Sequence, residues 1–252
     1  MARLHYRDAV ARAMAQETAR DRRVVPAGPD LDAALRGART GLRPVVEVTL
    51  PDLLAAGPDA RRAPLVLHAR SGGGPVDCWA MAVSELKVVA PASPEDAVGL
   101  FAAAVRDPGP VLFFDHEALD GTSAEVPGGE IVDRLGSAKV LRHGEDATIL
   151  ALSATVPDAL AAAQRLARAG LDATVVDLRS LAPLDTETLL REVSHTGRLF
   201  TIEEHRWPWG WGSVVAAIAA DEGFWDLDGP IVRIAASTVD QIIDTIGKAM
   251  QS

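Results

Sequence analysis

The sequence predicts an α/β protein made of two open, mostly parallel sheets, and three observations predict it. Short β-branched apolar runs alternate with longer stretches of helical periodicity along most of the chain. After Gly136 the alternation is regular enough to give four strand–helix pairs. Between the halves, Asp120–Gly136 gathers four glycines, a proline and several acids, the composition of a connecting stretch. The expected organisation is a first domain over 1–119, a linker over 120–135 and a second domain over 136–252.

In the first half, Ala9, Val10, Ala13 and Met14 recur at helical spacing, which predicts a helix from Tyr6 to Arg20 with Arg and Glu on its other face. Val24-Val25 reads as a short strand ended by Pro26-Ala27-Gly28-Pro29. Leu31–Arg39 reads as a short helix, and Pro44–Leu50 and Pro64–Ala69 as strands. Ser71-Gly72-Gly73-Gly74-Pro75 is a loop. Leu86–Ala90 is a strand, and Ser93 caps a helix whose stripe is Val98, Phe101, Ala102 and Val105. Pro110–Phe114 is an apolar strand.

In the second half, strand Ala147–Leu152 leads to a helix opening at Pro157, with Leu160, Ala163 and Ala167 facing inward and Gly170 as its stop. Strand Ala173–Leu178 leads to a helix from Asp185 to His195, stopped by Gly197. Strand Arg198–Ile202 precedes helix Ser213–Glu222, and strand Ile231–Ala235 precedes helix Thr238–Met250. Strands that alternate with helices in this way form a sheet covered on both faces, with ligands beyond the carboxyl ends of the strands.

Composition narrows the function. The 252 residues are 48% hydrophobic and 24% charged, with a net charge of −10. An acidic balance argues against nucleic acid and anionic membrane as partners. No apolar run approaches the roughly 20 residues of a membrane span, and no signal-peptide pattern opens the chain. The single cysteine, Cys78, excludes an internal disulfide and a cysteine-built zinc site and fits a cytoplasmic location. It has no Cys–His–acid pattern around it and reads as a small buried residue.

The run Val175-Val176-Asp177-Leu178-Arg179-Ser180-Leu181-Ala182-Pro183-Leu184-Asp185, continued by His195-Thr196-Gly197-Arg198-Leu199-Phe200 and Ile202-Glu203-Glu204, resembles the last domain of the beta subunit of thiamine-diphosphate-dependent 2-oxo-acid dehydrogenases. Gly212–Ala219 is similar to that family's next helix. In the first half, Gly41-Leu42-Arg43-Pro44, Leu86-Lys87-Val88-Val89-Ala90-Pro91 and Ala104-Val105-Arg106-Asp107 resemble the family's pyrimidine-binding (Pyr) domain. Transketolase shares the architecture. The resemblance implies a shortened Pyr-type domain followed by a transketolase C-terminal-like domain. It implies a beta-type subunit that completes its site with an alpha-type partner, usually as a heterotetramer. Thiamine diphosphate and Mg would be shared with or held by that partner, and the beta chain would self-associate. It also implies acyl or two-carbon ketol transfer, with an acyl-carrier or lipoyl protein as a further partner.

The chain departs from the family in its cofactor-facing loops. The family places a ring-binding glutamate before its Gly-Leu-Arg-Pro motif, and counting back from Gly41 lands on Ala27. Asp30 and Asp32 are the nearby carboxylates, and the ordinary role of such an Asp is a helix cap or a solvated turn acid. Pro51–Ala63, with Leu53 and Leu54 but no aromatic residue, stands where the family has an aromatic-rich helix, and Pro75–Ala80 holds no histidine where the family has one. His68 lies in a strand, where histidines are mostly packing residues. The cofactor-side candidates are therefore Gly72, Gly73 and Gly74. Ala104, Val105 and Asp107 are candidates for a potassium site, with a plain helix end as the equal alternative. Trp207, Trp209 and Trp211, three of five tryptophans, are candidates for a partner interface. Two functions stay open: a beta-type enzyme subunit with altered chemistry, and a non-catalytic interaction subunit that has lost its cofactor-facing residues.

Overall fold

The structure is a computed structural model and describes residues 1–49, 52, 63–71, 83, 85–205, 208, 210–235 and 238–251. In chain order the strands are β1 Ala2–His5, β2 Val24–Pro26, β3 Arg43–Val48, β4 Val66–Ser71, β5 Lys87–Val89, β6 Val111–His116, β7 Ser123–Val126, β8 Lys139–Arg142, β9 Ala147–Ala151, β10 Ala173–Asp177, β11 Ser180–Ala182, β12 Leu199–Glu203 and β13 Val232–Ala235. The helices are α1 Tyr6–Arg20, α2 Leu31–Arg39, α3 Pro94–Arg106, α4 Val156–Arg168, α5 Thr186–Thr196, α6 Trp211–Glu222 and α7 Val239–Ala249. The chain divides into two compact units. Unit 1 is Met1–Gly136 with Ser180–Pro183, and unit 2 is Ser137–Arg179 with Leu184–Ser252.

Unit 1 carries a six-stranded sheet in the order β11-β5-β6-β4-β3-β2. All pairs are parallel except β11 with β5, so five strands end on one carboxyl edge. Helix α3 is buried from Asp96 to Val105, well beyond its expected stripe, and Ser93 caps it by accepting from Asp96 N at 3.1 Å. Segment 131–133 lies against it: Asp133 N donates to Gly99 O at 3.0 Å, and a Cβ on Gly99 would meet Asp133 Oδ2 at 2.3 Å.

Helix α1 buries Tyr6, Ala9, Val10, Ala13 and Glu17. The apolar pattern finds the first face correctly but not its last member. Glu17 is only 3% exposed and is held by Arg20 at 2.8 Å and by Arg106 of α3 at 2.5 Å. Two guanidinium partners offset the desolvation of one carboxylate and tie α1 to α3. A second departure lies in the stretch read as a linker. It carries β7, whose Ser123–Val126 pair antiparallel with His5–Ala2 of β1. Each strand alternates apolar and polar residues, Ala-Arg-Leu-His and Ser-Ala-Glu-Val, but over only four residues, the shortest run that can signal a strand.

Unit 2 carries a five-stranded sheet in the order β13-β12-β9-β10-β8. The four expected strands are its parallel members, and β8 adds an antiparallel edge. Strands β9, β10 and β12 are buried at every position, as expected of a parallel sheet covered on both faces. Thr148 of β9 is satisfied internally. Thr148 Oγ1 lies 2.8 Å from Thr196 Oγ1 and donates to Glu192 O at 2.9 Å. Helix α4 turns Val156, Ala159, Ala162, Ala163 and Leu166 inward, so its face is rotated by about one residue from the Leu160–Ala167 expectation. Asp185 caps α5, accepting from Thr188 N at 3.0 Å and Ala138 N at 2.9 Å. Gly197 closes α5 in the left-handed region at φ 66°, where glycine carries no Cβ penalty. Strand β11 lies inside this half of the sequence but belongs to unit 1. Among the described residues, no helix is long and apolar enough to cross a membrane.

Two measurements check these packings. A Cβ on Gly144 would stand 2.5 Å from the carbonyl carbon of Ala173, a backbone atom that cannot swing away. Gly144→Ala should therefore lower unfolding free energy by about 1–3 kcal/mol in chemical denaturation. Burial pushes the Glu17 carboxyl up, but hydrogen bonds from Arg106 and Arg20 outweigh it and hold the group below its ordinary 4.5. Its folded pKa is depressed, so its contribution is complete above the ordinary carboxylate value and disappears as pH falls through the depressed one. The stability difference between the native chain and Glu17→Gln should be flat above that ordinary value and shrink on further acidification.

Candidate functional site

The carboxyl edge of the six-stranded sheet is where a parallel α/β unit places ligands, and unit 1 closes part of it with very short connections. After β2 the chain stays laddered to β3: Ala27 N donates to Val45 O at 2.8 Å and Glu47 N to Gly28 O at 3.0 Å. Gly28 then turns at φ 58° and α2 begins at once. Asp30 is the N-cap of α2, its Oδ1 accepting from Ala33 N at 2.8 Å. Asp32 sits in the first turn of α2 and is exposed. Both are thus placed on a helix start. Gly72, Gly73 and Gly74, with Cys78, lie outside the described residues.

A charged cluster stands at the ends of β4 and β6 that the sequence did not single out. Arg70 and Asp115 are register partners on adjacent parallel strands. Asp115 is 2% exposed, and its Oδ2 takes His68 Nε2 at 3.3 Å and Arg70 Nη1 at 3.2 Å. Arg70 also pairs with Asp120. His68 packs edge-on against Phe113, with ring centroids 5.8 Å apart. Beneath them the Tyr6 hydroxyl is held well above its ordinary value, chiefly by burial and then by the Asp115 charge. Period-two alternation, which puts His68 and Arg70 on one face, was the signal available for this cluster. Among the described residues, no group of three or more His, Cys, Asp or Glu side chains could hold a metal ion.

The carbonyl oxygens considered for potassium already have donors. Arg43 Nη1 donates to Val105 O at 3.0 Å and to Asp107 O at 2.8 Å. Asp107 N donates to Ala104 O at 3.3 Å. The Asp107 carboxylate takes Lys87 at 2.5 Å and Gly109 N at 2.8 Å. Two cationic side chains fill this oxygen set, and a third positive charge among them is unfavourable. The arrangement fits a side-chain-closed helix end rather than a potassium site.

In unit 2, Glu203 at the end of β12 is 1% exposed and receives Arg233 of β13 in a bidentate pair, at 2.8 Å to Oε1 and 2.7 Å to Oε2. Thr201 and Gly212 also donate to this carboxylate, at 3.0 and 3.3 Å. A Cβ on Gly212 would fall 2.1 Å from Glu203 Oε1, so a glycine there lets α6 start against the ion pair. Trp211 opens α6 and is 3% exposed. This corrects the expectation of an interface tryptophan at that position: its indole fills the interior. Trp207 and Trp209 lie outside the described residues.

Comparison with known proteins places these two units. Residues 136–244 match the family model for the transketolase C-terminal domain. The chain is 32% identical to the 2-oxoisovalerate dehydrogenase subunit beta of Bacillus subtilis, over 95% of this chain and 91% of that protein. The chain belongs to the beta-subunit family of the 2-oxo-acid dehydrogenases. Within that family it is a short member. The alignment to the Bacillus protein runs over 297 positions, whereas 95% of 252 residues is about 239, so the relative carries segments this beta-type chain lacks. Against the rice mitochondrial pyruvate dehydrogenase E1 subunit beta-2 the identity is 38%, over 82% of this chain but 62% of the relative. A solved split-gene transketolase described as an inactive beta4 tetramer superposes with a TM-score of 0.82 at 22% identity, covering 98% of both chains. Transketolase from Leishmania mexicana superposes with a TM-score of 0.73 at 14% identity, over all of this chain and 46% of that one. These structures share the fold.

Two substitutions test the placements. Arg43→Met should leave two carbonyls of the α3 end without donors and cost about 1–3 kcal/mol in unfolding free energy. Asp30→Ala removes a helix cap and should cost about 1 kcal/mol. Both are read by denaturant midpoints at constant m.

Proposed function

We propose that this beta-type chain is one half of a two-component thiamine-diphosphate-dependent enzyme and works only with an alpha-type partner. The observation that carries the proposal is the relationship to a dehydrogenase beta subunit along 95% of the chain, across both units. Relatives named for 2-oxoisovalerate, pyruvate and acetoin share this scaffold, so the scaffold does not select the substrate. The partner supplies the ligands for the diphosphate and its Mg. The cofactor supplies the electron sink for decarboxylation or for transfer of an acyl or two-carbon ketol unit.

On this chain the fit to the cofactor's ring is incomplete. Ala27 stands where the family glutamate is expected, and the nearest carboxylate, Asp30, is engaged as a cap. No proton-transfer step is assigned to a residue of this chain. These same observations favour a second reading, a non-catalytic subunit that supports an active alpha-type chain.

Coexpression with an alpha-type chain of the same organism separates the two. Calorimetry with thiamine diphosphate and Mg should show binding to the pair and none to the beta-type chain alone. A pair that assembles but binds no cofactor overturns the enzyme-subunit proposal. In a pair that does bind, Asp30→Ala and Asp32→Ala should reduce turnover no further than they reduce assembly if the chain only supports its partner.

A further inference from the structure

Helices α1 and α3 of unit 1 leave a groove of about 300 Å³ between them. Its floor is small and apolar: Ala13 of α1 and Ala102 of α3 are 1% and 4% exposed. Its outer wall is Glu130-Ile131. That wall is fastened to both helices. Arg12 of α1 donates to Pro127 O at 3.3 Å, and Asp133 N donates to Gly99 O of α3 at 3.0 Å, so the segment is pinned on either side of Glu130. A concave apolar floor with a few placed polar groups is the usual form of a small-molecule site. Arg20 ends α1 just before β2, and Arg106 ends α3 just before β6. The groove therefore lies toward the amino edge of the sheet, opposite the edge where α/β units place cofactors.

The polar rim selects the ligand. Four side chains form a line of alternating charge: Arg20 to Glu17 at 2.8 Å, Glu17 to Arg106 at 2.5 Å, and Arg106 to Glu130 at 2.5 Å. Glu17, in the middle, accepts from both guanidinium groups. The two ends are open. Arg20 engages only its Nε, and its Nη groups have no hydrogen-bond partner among the described residues. Glu130 engages only its Oε1 and is 63% exposed. Gln16 adds an exposed amide to the same rim as Arg20. The line holds two cations and two anions, so it is neutral. A lone anion in the groove would be repelled by Glu130, and a lone cation by Arg20. A ligand with both charges on one carbon is neutral as well, and it satisfies both ends at once. We infer that the groove binds a free α-amino acid with a short aliphatic side chain. Its carboxylate takes the open fork of Arg20, which suits that geometry. Its ammonium takes Glu130, and its side chain lies on Ala13, Ala102 and Ile131. The inference goes beyond the cofactor proposal and does not rest on it, because every group it uses belongs to unit 1 of this chain.

Calorimetry and ligand-observed saturation-transfer NMR on the full chain at neutral pH test it. L-Leucine is the probe, and isocaproate and isoamylamine are the controls, each lacking one of its two charges. Leucine should bind at a single site, and each control about tenfold more weakly or less. Glu130→Gln removes the ammonium's partner at an exposed position. It should weaken leucine binding about tenfold or more, with circular dichroism unchanged. Ala102→Leu fills the floor and should abolish binding in a chain whose circular dichroism is native. Glu130→Gln decides the matter by itself where Ala102→Leu does not fold. No binding of leucine by either method overturns the inference. So does a control that binds as tightly as leucine, and so does leucine binding that Glu130→Gln leaves unchanged.

Discussion

A parallel sheet can be extended only by crossing over, and each crossover must leave from a carboxyl edge. That constraint governs unit 1. Five strands end on the same edge, so any ligand site there is built from the connections that follow them. In this chain the connection after β2 stays hydrogen-bonded to β3 through Gly28 and runs straight into the cap of α2. Every backbone group used in that ladder is unavailable to a ligand. The pairing of the sheet is set by its strands, whereas a site on that edge is set by what lies between them.

The fold was legible where one physical signal dominated. Helical periodicity located α1, α3 and α7 to within a few residues, and buried β-branched runs located the four parallel strands of unit 2. Short elements stabilised by distant partners were not legible. Strands β1 and β7 pair across more than a hundred residues and are only four residues long, and β11 is three residues inside a run that otherwise belongs to unit 2. In α4 the buried face runs through Val156, Ala159, Ala162, Ala163 and Leu166, so of the three residues expected to face inward only Ala163 is fully buried.

The candidate site was legible as a set of departures, and less so as geometry. Ala27 and the carboxylates of Asp30 and Asp32 follow from counting along the chain, and the cap made by Asp30 is the ordinary role of such a residue. What sequence alone did not reveal is how charges pair across elements. Arg43 reaches the end of α3, Arg106 reaches Glu17, and Arg233 grips Glu203. In each case an arginine closes a polar group that a pattern search would count as free. Guanidinium suits this work because its fork can serve several oxygens at once.

Strand β11 has a consequence for how this protein can be divided. The polypeptide passes from unit 1 to unit 2 after Gly136, returns for Ser180–Pro183, and leaves again at Leu184. A cut at the apparent boundary would therefore strip the first sheet of its terminal strand and leave the backbone groups of β5 unpaired. A bare sheet margin of that kind recruits strands from other chains. The halves are thus interlaced by topology, and a gene fission at that boundary would yield a sticky fragment rather than an autonomous module.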